Sequence, residues 1–343
     1  MKVGLVYDDI YLRHDTGEHP ENAQRLSAVM SHLETTGLLP RLTRLKPSPA
    51  NEKELRLVHT ESHIRHVREV AEGGGGYLDL DTVVSPESYE VALYAVGGVI
   101  RAVQAVMSGE VGGAFALVRP PGHHAGRDRG MGFCLFNNIA IAASYALKEY
   151  PLSRLAIIDF DVHHGNGTQE IFEAAPRVLY VSTHESPLYP GTGRLGETGS
   201  DEAKGTKVNI PLPAGSGDSE YQRVYTEIIM PVVARFKPEL ILVSAGYDAH
   251  WADGLAMMRL SVSGYAGIAK NIKSLADELC QGRVVLSLEG GYNLSALSSS
   301  IKATLDTLMG DPSEDPIGNP PHPPSPPDIT PIVQALKKIH HLD

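Results

Sequence analysis

The sequence has few cysteines and no excess of positive charge, and both shortages narrow its possible functions. Its 343 residues include two cysteines, Cys134 and Cys280, which lie far apart in the chain and do not make a disulfide framework. The formal net charge of -11, from 30 basic and 41 acidic side chains, argues against a nucleic-acid surface. We therefore expect a soluble protein of a reducing compartment, with a cytoplasmic location.

Long hydrophobic runs are also scarce. The N-terminal apolar stretch turns acidic at Asp8 and Asp9, which leaves it too short for a signal peptide. No later run is expected to approach membrane-spanning length. The sequence therefore predicts neither export nor a membrane partner, and it contains no internal repeats.

Short apolar runs alternate with helical patterns along most of the chain. The strand candidates are residues 2–7, 114–118, 155–158, 178–181, 240–243 and 284–288. The clearest helix starts at a serine cap, Ser85, followed by Pro86, and ends at Gly109. Continuous apolar strands between helices indicate a buried parallel sheet. The predicted fold is therefore α/β, a single domain with a mostly parallel central sheet and helices on both faces.

The C-terminal part of the chain has a different composition. Residues 310–331 are rich in proline, with the densest run at 320–327. We predict a main domain over residues 1–310. Residues 311–343 are predicted to form a proline-rich extended tail and a last helix near 332–339, packed on the same domain.

The strand candidate at 155–158 ends in carboxylates and imidazoles. Alternate residues of an extended chain point the same way, so Asp161 and His163 can direct an oxygen and a nitrogen at one ion, with Asp159 behind them. Asp248 follows the strand candidate 240–243 and is the predicted third ligand. The alternative is an acidic strand end that caps a helix. Matching chemistry elsewhere in the chain favours the metal site.

Two other strand candidates end in chemically active residues. His123 and His124 follow residues 114–118, and a tandem histidine there is hard to explain by packing. After residues 284–288, Gly290 and Gly291 allow a tight turn that could bring the Tyr292 phenol over a neighbouring site. Tyr292 is therefore a candidate oxyanion donor, and the alternative is a core tyrosine whose hydroxyl bonds to backbone. Parallel sheets place ligands at the carboxyl ends of their strands, where all these segments lie.

In this order the motifs resemble those of a zinc-dependent histone deacetylase of the class II type, within the arginase-deacetylase superfamily. The resemblance covers most of the chain. Its six motifs are residues 19–21, 120–124, 132–138, the run from Asp159 to Asn166, 189–193 and 289–292. It implies one catalytic zinc ion with an open coordination position for water and the substrate carbonyl. The implied zinc ligands are Asp161, His163 and Asp248.

The resemblance also implies roles for the catalytic residues. His124 matches the general base, and His123 is paired with Asp159. Asn166 stands where the class I pattern has an aspartate, so His124 would lack a charged partner and keep a lower pKa. Tyr292 matches the tyrosine that donates a hydrogen bond to the tetrahedral oxyanion.

The resemblance further implies a substrate tunnel and a potassium site. Gly132, Phe133 and Tyr189 would lie along a narrow acyl-lysine tunnel, although either aromatic could belong to the core. An acidic residue in the loop that contains Asp79 and Asp81 would grip the substrate, and the alignment does not choose between the two. Structural K⁺ would be bound by backbone carbonyls and one serine; the alternative for that serine is a plain turn residue. The implied K⁺ residues are Asp159, Asp161, His163 and Ser182.

The substrate class depends on one position. Leu255 matches the place where a polyamine deacetylase carries a glutamate, and a leucine cannot offset the desolvation of a buried ammonium. We therefore expect removal of acetyl or other acyl groups from lysines of peptides or proteins. The alternatives are an acetylpolyamine amidohydrolase acting on a small acetylated amine, an arginase-like dimanganese hydrolase, and a catalytically silent metal-binding protein.

Overall fold

A computed structural model describes residues 1–320 and 325–342 of the chain. The strands, in chain order, are β1 Val3–Val6, β2 Thr43–Leu45, β3 Gly76–Tyr77, β4 Val83–Val84, β5 Gly113–Ala116, β6 Leu155–Asp159, β7 Val178–Glu185, β8 Lys207–Leu212, β9 Ile241–Ala245 and β10 Val284–Leu288. The α-helices are α1 Gln24–Thr35, α2 Glu52–Leu55, α3 Glu61–Glu72, α4 Ser88–Met107, α5 Asn138–Glu149, α6 Asn166–Phe172, α7 Asp218–Val224, α8 Met230–Phe236, α9 Val262–Leu279, α10 Leu294–Met309 and α11 Thr330–His340. Three 3₁₀ segments lie at Asp9–Arg13, Leu39–Arg41 and Asp201–Ala203, and a π-helical turn at Tyr225–Ile229 joins α7 to α8.

The centre of the fold is an eight-stranded sheet. Its strand order is β2-β1-β5-β10-β9-β6-β7-β8, and all neighbouring strands pair in parallel. Helices α4 and α5 pack together over one face, and α1, α9 and α10 pack together over the other. Strands β5, β6, β9 and β10 are buried along their whole length, as expected for a sheet covered on both sides. The predicted α/β fold is confirmed.

Each of the six predicted strands is present, but two strands of the central sheet were missed. These are β2 and β8, the outermost strands on either side. Strand β2 has one buried residue in three, and β8 contains Lys207 and Asn209, which are both buried. A third missed feature is the small antiparallel pair of β3 and β4.

Helix α4 corrects two predictions. It starts at Ser88 rather than after Ser85; the Ser88 hydroxyl accepts a hydrogen bond from the Ser85 backbone N–H at 2.7 Å, so Ser85 does not cap the helix. Its end at Gly109, where φ is +75°, is as predicted. The expectation that no run approaches membrane-spanning length was wrong for α4, which has 20 residues and a mean hydropathy of 1.4. The apolar segment of this helix is 67% buried within the fold, because α4 packs against β1, β5, β10 and α5.

The C-terminal helix lies against the edge of the sheet. Helix α11 contacts β8, and the Lys337 ammonium lies 2.6 Å from a Glu227 carboxylate oxygen. Arg223 donates a hydrogen bond to Thr330 at 2.9 Å. The predicted last helix is therefore present, although its bounds are wider than 332–339. Part of the predicted proline-rich run, residues 321–324, lies outside the described residues, and the boundary at residue 310 stays a prediction.

Candidate active site

Three ligand-type side chains meet beyond the carboxyl ends of β6 and β9. The ligand atoms of Asp161, His163 and Asp248 all lie within 4.8 Å of one another. His163 Nδ1 is 3.2 Å from Asp161 Oδ1 and 3.3 Å from Asp248 Oδ2. The three residues predicted from the sequence as metal ligands are therefore brought together.

The surroundings of these residues are electrostatically suited to a cation. Burial opposes a charged imidazole, but Asp161 and Asp248 outweigh it and raise the pKa of His163 to about 10. Burial and the neighbouring Asp161 raise the pKa of Asp248 to about 6. Asp248 Oδ2 is buried and has no hydrogen-bond partner among the described residues. An orphaned carboxylate oxygen beside a second carboxylate and an imidazole fits a divalent metal ion.

Glycine turns leave room for the two carboxylates. The Gly290 N–H donates to Asp161 Oδ2 at 2.8 Å. A Cβ added at Gly290 would lie 2.1 Å from Asp248 Oδ2, and one added at Gly246 would lie 2.0 Å from Asp161 Oδ2. The site therefore requires these two positions to lack side chains.

The tandem histidines lie next to the metal triad in two different environments. His123 Nδ1 is 3.1 Å from Asp159 Oδ2, which also accepts a hydrogen bond from Tyr180 at 3.0 Å. Burial opposes the charge on His123, but Asp161 and Asp159 raise its pKa to about 10. The Asp159 partner predicted for His123 is therefore in place.

His124 has a neutral partner. Its Nδ1 is 2.8 Å from Asn166 Oδ1. Burial, together with His123 and His163, holds the pKa of His124 well below its usual value. An amide oxygen accepts a hydrogen bond, so Nδ1 of His124 donates and Nε2 keeps its lone pair. The partners of the two adjacent imidazoles thus differ in charge, and the pKa values of the imidazoles shift in opposite directions.

Glu289 supports this arrangement and was missed as a functional residue. The buried Glu289 carboxylate accepts hydrogen bonds from the backbone N–H groups of Gly122 and His123, at 2.7 and 3.2 Å, and from the Ser244 hydroxyl at 3.1 Å. It thereby ties together the carboxyl ends of β5, β9 and β10. The available signal was its position directly before the Gly290-Gly291 turn.

A cavity of about 210 Å³ opens onto the imidazoles of the site. It contains every residue predicted to line the substrate tunnel. Its lining residues are Asp81, Pro121, His123, His124, Gly132, Phe133, His163, Leu188, Tyr189, Leu255, Gly290 and Tyr292. The Tyr189 ring stands edge-on to His124 with ring centroids 5.2 Å apart, and Phe133 is perpendicular to Tyr292 at 6.0 Å.

Backbone geometry fixes Phe133 in the cavity wall. Gly132 and Phe133 have φ values of +55° and +70°, in the left-handed region that non-glycine residues rarely adopt. The Phe133 N–H donates to the Thr82 hydroxyl at 3.0 Å, and the Gly132 N–H approaches Asp79 Oδ2 at 3.4 Å. Asp79 therefore supports the wall, whereas its neighbour Asp81 lines the cavity.

Tyr292 is positioned by residues that sequence reasoning did not select. Asp253 Oδ2 accepts hydrogen bonds from the backbone N–H groups of Tyr292 and Asn293, at 2.7 and 2.9 Å. The Arg25 guanidinium lies over the Tyr292 ring at 5.0 Å. Burial and the nearby Asp248 carboxylate raise the pKa of Tyr292, so the phenol keeps its proton and can donate it in a hydrogen bond. Leu255 belongs to the Asp253 loop, since its N–H donates to Asp253 Oδ1 at 3.2 Å.

A polar network lies behind the Tyr189 loop. His164 is hydrogen bonded to Thr192 at 2.7 Å and to Gln169 at 3.0 Å, and His184 is hydrogen bonded to the Gly193 carbonyl at 2.9 Å. Neither histidine lines the cavity, and both bond to neighbouring segments of the fold. His184 also bonds to Ser182 at 2.9 Å. Ser182, the predicted potassium residue, is buried and paired in register with Asp159.

A buried ion cluster connects the N-terminal segment to the site. Glu21 is fully buried, and its carboxylate receives hydrogen bonds from Arg119 Nη2 at 2.8 Å and Arg25 Nη1 at 3.0 Å. Arg25 Nε also donates to the Gly291 carbonyl at 2.7 Å. The motif at residues 19–21 therefore holds the turn that precedes Tyr292.

Replacing Glu21 by Gln is expected to destabilise the fold by about 3 to 5 kcal/mol, since two buried guanidiniums lose their counter-charge. Burial opposes ionisation of Glu21, but Arg119 and Arg25 outweigh it and lower its pKa. The stabilisation is thus complete at neutral pH and is lost as the pH falls from about 4.3 towards the lowered pKa. Urea unfolding at several pH values measures both effects. The control Glu69→Gln, in an exposed pair with Arg65, should cost less than about 1 kcal/mol; equal losses for both variants would contradict this role.

The parallel sheet, the metal triad and the protonated phenol beside a narrow cavity define a metal-dependent hydrolase. The family model described as "Histone deacetylase domain" matches residues 19–308. The chain belongs to the histone deacetylase family, as its motifs predicted.

Individual relatives are similar over most of the chain. A protein described as "Probable deacetylase" from Archaeoglobus fulgidus is 44% identical over 297 residues, which cover 86% of this chain and 82% of that protein. "Histone deacetylase 14, chloroplastic" from Arabidopsis thaliana is 40% identical over 319 residues, covering 88% and 75%. Among solved structures, the crystal structure of the HDA15 HD domain has a TM-score of 0.88 and 33% identity, covering 99% of this chain and 94% of that one.

Proposed function

We propose that the protein removes acetyl or other acyl groups from lysine side chains of peptides or proteins. The observation that carries this proposal is the meeting of His124, Tyr292 and the metal ligand His163 in one cavity, with Phe133 and Tyr189 in its walls. A narrow aromatic cavity suits an alkyl chain that ends in an amide. The three polar groups suit hydrolysis of that amide.

Zinc is the proposed metal, held by Asp161, His163 and Asp248. When bound there, it would polarise the amide carbonyl and acidify a water molecule. The buried, unpartnered Oδ2 of Asp248 supports a cation at this position. An arginase-like centre with two manganese ions would need more bridging carboxylates than this triad offers.

His124 is the proposed general base. Its Nδ1 is engaged by Asn166, which leaves the Nε2 lone pair to take a proton from the attacking water. His123 retains its proton beside Asp159 and stabilises negative charge that develops in the cavity. The Tyr292 phenol is the proposed donor to the tetrahedral oxyanion. A catalytically silent metal-binding protein would need neither His124 nor Tyr292.

We also propose a structural potassium ion near Ser182, with the backbone carbonyls of Asp159, Asp161 and His163. Ser182 lies opposite Asp159 in the pairing of β6 and β7, which supports this position for the ion.

The buried free thiols Cys134 and Cys280 suit the reducing cytoplasm, which we propose as the location of the protein in the cell.

The cavity mouth supports a peptide or protein substrate over a free polyamine. Two of the exposed large apolar side chains of the described residues, Tyr189 and Leu255, line the cavity. The other three lie within four positions of a cavity-lining residue along the chain: Tyr77, Leu80 and Met257. Leu80 follows Asp79 and precedes the cavity residue Asp81. An apolar rim can be covered by residues on either side of an acyl-lysine. A polyammonium chain would lose hydration there and would find one carboxylate in the cavity lining, that of Asp81.

The first test is kcat/KM of the zinc-loaded protein on an acetyl-lysine peptide and on acetylspermidine, with a chelated sample as control. We expect preference for the peptide, abolished by chelation. Preference for acetylspermidine would favour the polyamine amidohydrolase. A metal content of two ions per chain would favour the arginase-like hydrolase, and a bound metal without activity on either substrate or on longer acyl-lysines would favour the silent binder.

Leu255→Glu is expected to shift the ratio of these two kcat/KM values towards acetylspermidine by about tenfold or more, because it adds a carboxylate to the cavity. Leu255→Gln is the control, because glutamine has the size of glutamate without its charge. It should shift the ratio little. An unchanged ratio in Leu255→Glu would show that this position does not select the substrate.

A further inference from the structure

A second concave site, which shares no lining residue with the cavity at the metal triad, lies where α11 and the end of α8 meet the edge of the sheet. This cleft has a volume of about 530 Å³. Its walls include the apolar side chains of Leu179, Val232, Phe236 and Ile339. No part of the proposed catalytic machinery lines it.

Three cationic side chains also line the cleft: Arg154, Lys204 and Arg235. The imidazoles of His340 and His341 lie beside them. The described lining contains no carboxylate, although the chain has 41 acidic against 30 basic side chains. A one-sided local charge in an acidic protein attracts anions.

His340 supplies an independent sign of a missing ligand. It is 2% exposed, and neither Nδ1 nor Nε2 has a hydrogen-bond partner among the described residues. Buried ring nitrogens without a partner cost free energy, so a polar group that bonds to them would stabilise this part of the fold. Burial, with Arg235 and His341 nearby, lowers the pKa of His340 to about 4. The ring is therefore neutral at pH 7 and offers one N–H donor.

The backbone around His340 is held in place. Arg235 donates hydrogen bonds to the carbonyls of His340 and His341, at 2.5 and 3.2 Å, and the Arg154 guanidinium lies 5.9 Å from the Phe236 ring centroid. The unpartnered nitrogens of His340 consequently belong to a fixed end of α11. They lie beside the apolar wall of the cleft, where water molecules find few hydrogen-bond partners.

We propose that this cleft binds an amphipathic organic anion, whose apolar body packs against Leu179, Val232 and Phe236. Its anionic head, a carboxylate, lies among Arg154, Lys204 and the N–H of His340. The apolar walls distinguish such a ligand from an inorganic anion. The cations distinguish it from a neutral lipid.

The test is calorimetric titration of the full chain with sodium octanoate, 1-octanol and inorganic phosphate. We expect saturable octanoate binding that is at least about tenfold tighter than binding of the other two probes. Equal affinity for octanol would show that the cations take no part. Equal affinity for phosphate would show that the apolar walls take no part. Either result overturns the proposal.

Variants locate the binding. The double variant Arg154→Gln/Lys204→Gln is expected to weaken octanoate binding by about tenfold or more. The double variant Arg44→Gln/Lys148→Gln makes the same change of charge at exposed positions outside the cleft and should bind as the parent does. Octanoate binding that persists unchanged in the first variant belongs to the acyl-lysine cavity and overturns the proposal. His340→Phe fills the site with an apolar ring and should also weaken binding, while its unfolding temperature shows that it is folded.

Discussion

Tyr292→Phe is expected to lower kcat by about 10²- to 10³-fold, because it removes the hydroxyl that we propose as donor to the developing oxyanion. The ring would remain under Arg25, and the backbone N–H would still bond to Asp253, so the cavity should keep its shape. Zinc content, measured by atomic emission, should equal that of the parent. The effect should therefore be on kcat rather than on the metal.

Tyr150→Phe is the matched control for this experiment. Tyr150 packs near Tyr145, with ring centroids 6.4 Å apart, and does not line the cavity. Its variant should retain the parent kcat. If Tyr292→Phe also retained it, the phenol would not be the oxyanion donor.

Gly290→Ala is expected to lower the affinity for zinc by about 10- to 100-fold. The added methyl carbon would lie 2.1 Å from Asp248 Oδ2 and 2.7 Å from Asp161 Oδ2, so both carboxylates must move. Competition with a chromophoric chelator measures the affinity. Deacylation should fall in parallel at limiting zinc.

Gly254→Ala provides the control, since a Cβ there would meet nothing within 4 Å. It lies in the same loop as Leu255 and should bind zinc as the parent does. A melting curve of each protein without zinc distinguishes a local clash from unfolding. An unaltered zinc affinity in Gly290→Ala would mean that the carboxylates can adapt, and that the glycine is not needed for the metal.

The strands that could be predicted are those buried on both faces. Apolar runs revealed β6, β9 and β10 because a strand between two layers of helices buries both faces and is mostly apolar. Strand β8 was missed because Lys207 and Asn209 interrupt its pattern. Both are buried with partners invisible in the sequence: the Lys207 ammonium donates to the Val178 carbonyl at 3.0 Å, and the Asn209 amide donates to Gln169 at 2.7 Å.

The candidate site likewise contains residues that the sequence reveals and residues that it does not. Side chains that follow apolar strands, such as His124 and Asp248, could be selected because their position predicted their neighbours. Asp253 and Glu289 could not, since each accepts hydrogen bonds from backbone N–H groups of distant segments. The role of Glu21 also depends on a distant partner, the guanidinium of Arg119. Ordinary carboxylates of this kind leave no local pattern. Their function depends on which N–H groups the completed fold brings to them.

The two carboxylates of the metal triad come from parts of the chain that are made at different times. The Val162 N–H donates to Asp248 Oδ1 at 3.0 Å, across 86 positions, and β9 lies between β6 and the later strand β10. During synthesis Asp161 and His163 therefore emerge long before their third partner, and they cannot form a complete ligand set alone. Since parallel pairing over such distances forms late, ion capture follows assembly of the sheet. Occupancy by the proposed zinc ion should thus report the fraction of correctly assembled molecules in a preparation, independently of any substrate.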